Sequence, residues 1–196
     1  TLVGWEYVRD TGRLVRKAGM KNVIVTNGSV SDQVLDEILP VADAMNIDLK
    51  GFTENYYRKL GGDLETVKHF ITCASRRCHV ELTALIVPGE NDSDEEMREM
   101  AGWISSLSPE IPLHVTRFFP RWKMDDRPAT DVARVYALVQ TAREYLRYCV
   151  GRVTAEQKTP GTKSLQTIPS PLIYRPRKQC RSDAYIDSNV LLQNMC

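Results

Sequence analysis

The chain carries almost no net charge: 26 Lys+Arg stand against 25 Asp+Glu, a formal +1 over 196 residues. No excess of Lys and Arg is there to neutralise many phosphates, which excludes a nucleic-acid binder that works by counterion release. Long apolar runs are missing too. A stretch such as Leu82 to Val87 falls far short of the roughly 20 residues a membrane-spanning helix needs, and no signal peptide opens the chain. Neither a membrane nor nucleic acid is an expected partner. The five cysteines, Cys73, Cys78, Cys149, Cys180 and Cys196, are odd in number and scattered. They read as reduced thiols of a cytoplasmic protein, and no second pair completes a tetrahedral metal site with Cys73 and Cys78.

What is present is an alternation of helical and extended patterns over residues 1–150, the signature of repeated β/α units around a parallel sheet. Helical spacing from Val3 to Lys17 stops at Gly19. A strand from Asn22 to Thr26 runs into the Asn27-Gly28 turn, and Ser31-Asp32 opens a helix that Pro40 ends or kinks. A second strand from Ala44 to Leu49 precedes a helix from Glu54 to Leu60 and another from Leu64 to Ser75. The third strand, His79 to Val87, meets a turn-rich loop at Pro88-Gly89-Glu90-Asn91-Asp92. Ser93 and Glu96 then form a capping box before the next helix. A fourth strand, Pro112 to Phe118, leads to a last helix capped by Thr130. The expected fold is α/β, barrel-like or doubly wound, with about four β/α units. Beyond Val150, Pro160, Pro169, Pro171 and Pro176 interrupt any period, so residues 151–196 read as an irregular or disordered tail, possibly frameshifted. The chain starts at Thr1 in a helical pattern, and the expectation is that its natural start lies upstream.

Alternation along the strands points to where the chemistry sits. Asn46, Asp48 and Lys50 share one face of the second strand, His79, Glu81 and Thr83 one face of the third, and His114 and Thr116 one face of the fourth. Parallel strands covered on both sides are normally apolar throughout. Two arrangements explain the departure: a barrel interior lined for a polar ligand, or an antiparallel sheet with one solvated face. Intervening helices favour the first. Asp48 and Lys50, at a strand's carboxyl end, suit the ammonium and carboxylate of an amino-acid-like ligand, or form a simple ion pair. His79 and His114 are proton carriers or ligands in one reading and packing residues in the other. The loop from Val87-Pro88-Gly89 to Asp92 presents backbone amides where a polar ligand would sit.

Four segments in order carry a resemblance: Val25-Thr26-Asn27-Gly28, Met45-Asn46-Ile47-Asp48-Leu49-Lys50-Gly51, Ile86-Val87-Pro88-Gly89-Glu90-Asn91-Asp92, and His114-Val115-Thr116-Arg117-Phe118-Phe119-Pro120 with Lys123-Met124. Over residues 1–150 the chain resembles radical S-adenosylmethionine (SAM) proteins related to pyruvate formate-lyase-activating enzyme, most closely the radical SAM enzyme of the AmmeMemoRadiSam system. The resemblance implies a partial parallel (β/α) barrel of the radical SAM type. In it a [4Fe-4S] cluster reductively cleaves SAM to a 5'-deoxyadenosyl radical that abstracts hydrogen from a substrate. It further implies cofactor-binding roles for Thr26, Asn27, Asp48, Lys50, Val87 and Pro88, and a protein substrate or partner proteins of the same system. The family's Cys-x3-Cys-x2-Cys does not occur in the chain, and Phe119 stands where the activating enzymes carry a His near SAM. The expectation is therefore an inactive isolated chain, truncated before its cluster-binding segment. Two alternatives stand beside it: a non-catalytic, partner-binding fragment of that barrel, and a Schiff-base enzyme using Lys50.

Overall fold

The structure is a computed structural model and describes residues 1–153. Five parallel strands form one sheet in the order β1-β2-β3-β4-β5, so each strand pairs with its neighbours in sequence. They are β1 (Val23–Thr26), β2 (Ala44–Asp48), β3 (His79–Ile86), β4 (Leu113–Arg117) and β5 (Cys149–Arg152). The helices are α1 (Trp5–Lys17), α2 (Asp32–Ile38), α3 (Glu54–Lys59), α4 (Leu64–Ser75), α5 (Asp94–Leu107) and α6 (Val132–Arg143). A helix in each connection allows successive strands to run in the same direction. The α/β parallel architecture read from the sequence is the one observed.

All helices that reach the core pack on one face of the sheet. Ile24, Met45, Ile47, Val80, Leu82, Ala84, Ile86, Leu113, Val115 and Cys149 project from that face and share a single buried cluster with Phe70 and Ile71 of α4, Met97 and Ile104 of α5, and Leu138 and Val139 of α6. Burying a side chain of this size stabilises the fold by about 1.5–3 kcal/mol, so this layer is the main source of cohesion. The helix ends follow local chemistry. Asp63 accepts from the Thr66 N–H, Ser93 from the Glu96 N–H and Asp131 from the Ala133 N–H, each satisfying an amide that the helix itself leaves unpaired.

Two helix-start readings change. Glu96 does not reach back to complete a capping box; its carboxylate accepts the Phe52 N–H at 2.5 Å from the loop between β2 and α3. The cap of α6 is Asp131, while Thr130 is buried and bonded between strand ends.

Strand β5 is the larger surprise, since the sequence pattern offered no packed element past residue 150. Four residues containing a glycine show no readable alternation. They become a strand because the free edge of β4 pairs with them, Leu113 with Cys149 through Thr116 with Arg152. Gly151 suits the place: a Cβ there would stand 3.3 Å from the Tyr136 ring and 3.3 Å from Val139 of α6. The remainder of the 151–196 tail, from residue 154 on, lies outside the described residues.

Candidate functional site

Among the described residues no helix layer covers the other face of the sheet, which is polar by register. Asn46 pairs with Glu81, Asp48 with Thr83, Thr83 with His114, and Thr116 with Arg152. Partners in register point to the same side, so these residues form one continuous patch. Hydrogen bonds run across it. Thr83 donates to Asn46 Oδ1 at 2.9 Å, and Thr116 donates to the Ala84 carbonyl at 3.1 Å. His114 Nε2 lies 2.8 Å from Glu81 Oε2, His79 Nε2 lies 3.2 Å from Glu81 Oε1, and Arg152 Nε donates to His114 Nδ1 at 3.1 Å. The donation from arginine makes Nδ1 an acceptor, which leaves the proton of a neutral ring on Nε2, facing Glu81. Hydrogen bonds from His114 and then His79 hold the Glu81 carboxyl far below the ordinary glutamate value, outweighing the desolvation that pushes it up.

At the carboxyl ends of the strands, Lys50 Nζ lies 2.7 Å from Asp48 Oδ2, with Asp48 nearly buried and Lys50 37% exposed. A web of side-chain bonds to backbone fixes this end. Asn91, 2% exposed, donates to the Lys50 carbonyl at 2.6 Å and to the Leu85 carbonyl at 2.8 Å, and accepts the Val87 N–H at 2.7 Å. One amide thus joins the ends of β2 and β3. The Tyr57 hydroxyl accepts the Lys50 N–H at 3.1 Å, and burial pushes that phenol up to about 12. Thr130 donates to the Ile86 carbonyl at 2.5 Å and accepts the Phe118 N–H at 3.2 Å, joining β3 to β4. Close packing also dictates Gly51: a Cβ there would come within 2.6 Å of the Tyr56 ring.

The residues singled out by sequence divide into two sets. Asp48 and Lys50 are bonded to one another, and Asn91 brings the Lys50 backbone beside Val87 and its neighbour Pro88. Thr26 faces the other way. It shares the helix-covered face with Ile24, is 4% exposed, and its hydroxyl accepts the Gly28 N–H at 3.2 Å. Asn27 is exposed, and its side chain accepts the Ser29 N–H. Together they shape a turn in which Gly28 adopts φ 68°, a left-handed conformation that glycine enters without strain. His114 is a satisfied member of the polar network rather than an isolated imidazole. Sequence reasoning missed the roles of Asn91, Thr130, Glu96, Tyr57 and Arg152, because each acts on groups distant in the chain. The only signal was that Asn91, Glu96 and Thr130 sit in turn or cap positions. Two hollows among the described residues lie off this face, one of them at the opposite end of β3 around Cys78, His79 and Ile111.

The radical SAM superfamily model matches residues 1–101, just over half the chain. The chain belongs to the radical SAM superfamily. It is 38% identical over 132 residues to an uncharacterized protein of Methanocaldococcus jannaschii, covering 66% of this chain and 39% of that protein. It is 32% identical over 102 residues to the pyruvate formate-lyase 1-activating enzyme of Escherichia coli K12, covering 48% of this chain and 40% of that enzyme. The chain therefore spans about two fifths of the length of these curated relatives. Among solved structures, a domain of pyruvate-formate lyase-activating enzyme from Bacteroides vulgatus shares the fold with a TM-score of 0.68 at 15% identity, over 78% of this chain and 93% of that one.

Radical SAM membership implies SAM and a [4Fe-4S] cluster, and the two fare differently against the residues present. The cluster needs thiolates at suitable spacing. Among the described residues no three His, Cys, Asp or Glu side chains gather to hold a metal. Burial pushes the Cys78 thiol up to about 11 and the Cys149 thiol up to about 12, which favours the protonated form that does not bind iron. The cluster does not fit the described residues. SAM fits better in kind: the Asp48–Lys50 pair at the rim of the polar sheet face holds an acceptor and a donor of the sort an amino-acid zwitterion would take. No helix among the described residues is long and apolar enough to cross a membrane.

Proposed function

We propose that this chain forms the SAM-holding part of a radical SAM enzyme of the activating-enzyme type, its cluster ligands supplied by sequence outside the chain. The observation that carries the reading is the 2.7 Å Asp48–Lys50 pair at the carboxyl end of β2, reached from solvent through Lys50 and tied by Asn91 to Val87. In barrel-type parallel folds the working residues stand at this end of the strands. Bound here, SAM would supply hydrogen-abstraction chemistry, and Asp48 and Lys50 would hold its amino-acid end.

The residues of the chain hold and orient. Lys50 offers its ammonium to a carboxylate and Asp48 its carboxylate to an ammonium, so an amino-acid end docks by exchanging their mutual bond for two ligand bonds. Asn91 and Tyr57 fix the Lys50 backbone, which limits where its side chain can reach. Asn46, Thr83 and the Glu81–His114 pair line the polar floor next to this rim. The AmmeMemoRadiSam assignment and a protein substrate belong to the same proposal and rest on the four ordered motifs. A Schiff-base role for Lys50 is disfavoured by the same geometry, because an ammonium bonded to Asp48 has no lone pair for attack.

Calorimetric titration of SAM into the full chain tests the reading. Saturable binding is expected, weakened about tenfold in Lys50→Gln through loss of one charge-assisted hydrogen bond. An absence of saturable binding, or an unchanged affinity in the variant, overturns it.

A further inference from the structure

We infer that Arg152 on β5 is the anchor of a substrate subsite for a carboxylate. It stands on the polar face in register with Thr116, on the same side of the sheet as Asp48. Among the described residues its one side-chain bond runs from Nε to His114 Nδ1, and an accepting imidazole nitrogen carries no negative charge to offset the guanidinium. Among the described residues nothing takes up the two terminal nitrogens, and they are not sealed from solvent, since no buried side-chain nitrogen or oxygen there lacks a partner. Burial pulls the guanidinium below its ordinary value, while Glu81 pushes the other way from beyond the imidazole. A partly desolvated cation whose fork is unoccupied and whose Nε is clamped is a preorganised receptor.

The clamp has a second layer. Glu81 holds His114 at 2.8 Å and so fixes the ring that fixes Arg152. What remains open is a planar pair of donors, which matches the two oxygens of a carboxylate. Glu81, one imidazole away, disfavours a doubly charged phosphate. Arg152 acts by binding, and His114 and Glu81 are positioning residues. This subsite rests on the polar face being the reaction chamber, and it places the substrate's acid group on that face together with the Asp48–Lys50 rim.

The test follows the His114 ring resonances of the full 196-residue chain by NMR, during titration with acetate, with N-acetyl-Ala-Asp-Ala-amide, and with methylphosphonate. Saturable shifts with acetate or the peptide are expected. The tighter of the two identifies a free small acid or an acidic side chain of a polypeptide as the source. Arg152→Gln, whose amide can still donate to His114, is expected to raise the half-saturating concentration about tenfold, or about 1.4 kcal/mol. Arg152→Lys, which keeps the charge and loses the fork, is expected to fall between. Failure of both carboxylates to saturate, tighter binding of methylphosphonate, or indifference to both substitutions overturns the subsite. SAM titrated into the same samples reads the Asp48–Lys50 rim separately, so loss of either reading is seen independently of the other.

Discussion

The two faces of this sheet are built from the same strands and stabilised in opposite ways. On the helix-covered face, Ile47, Leu82, Ala84, Leu113 and Val115 are fully buried, and cohesion comes from non-directional burial of apolar area. On the other face, Asn46, Glu81, Thr83, His114 and Arg152 are held by directional bonds between polar groups, each of which costs free energy if its partner is removed. The difference teaches where this fold can accommodate change. The apolar layer tolerates volume-conserving swaps among hydrophobes. The polar layer tolerates ligands, because a hydrogen bond can be exchanged for another.

The sharpest way to break the comparison is on the apolar side. Leu82→Ala is expected to lower unfolding stability by about 4 kcal/mol, read from urea midpoints, because the fully enclosed site leaves a cavity. Its effect on SAM affinity, measured on the folded fraction, is expected to be small. Asn91→Leu strikes the junction of β2 and β3 and leaves two carbonyls and one N–H without their partner. A loss of about 3 kcal/mol is expected, together with a loss of SAM affinity larger than that of Leu82→Ala. Equal effects on both readouts in the two variants would erase the distinction between the faces.

The smallest expected effect is the one that depends on pH. Glu81 titrates in the fold below its ordinary value of 4.5, so its bonds to His114 and His79 contribute stability that is present above that pH and lost as pH falls toward the folded value. Glu81→Gln should therefore be less stable than the natural chain at neutral pH, by about 1 kcal/mol. The gap should close in denaturation curves taken below pH 4.5. A gap that stays constant from neutral to acid pH would show that the carboxylate charge on this face contributes nothing.

Much of this was legible along the chain. The helix expected over about residues 64–75 is α4, and the structure adds that Asp63 caps it while its apolar residues keep a helical period. The alternation in β2, β3 and β4 placed Asn46, Asp48, Glu81, Thr83, His114 and Thr116 on one side, as observed. Thr26 lies on the helix-covered face, where its hydroxyl accepts a backbone N–H two residues on, a placement that strand alternation alone did not reveal. β5 was invisible because a four-residue strand draws its identity from the neighbour it pairs with.

By itself, the sequence determined the local matters: which segments are helices, which of the longer runs are strands, and which side chains share a face of those strands, since each depends on periodicity and caps within a few residues. The tertiary structure alone decided that Asn91 would join two strand ends, that Thr130 would join two others rather than cap a helix, and that Arg152 would meet His114 across 38 positions of chain. Hydrogen bonds between residues far apart in sequence exist only once the sheet has fixed its register, and register is a property of paired strands, not of any one of them.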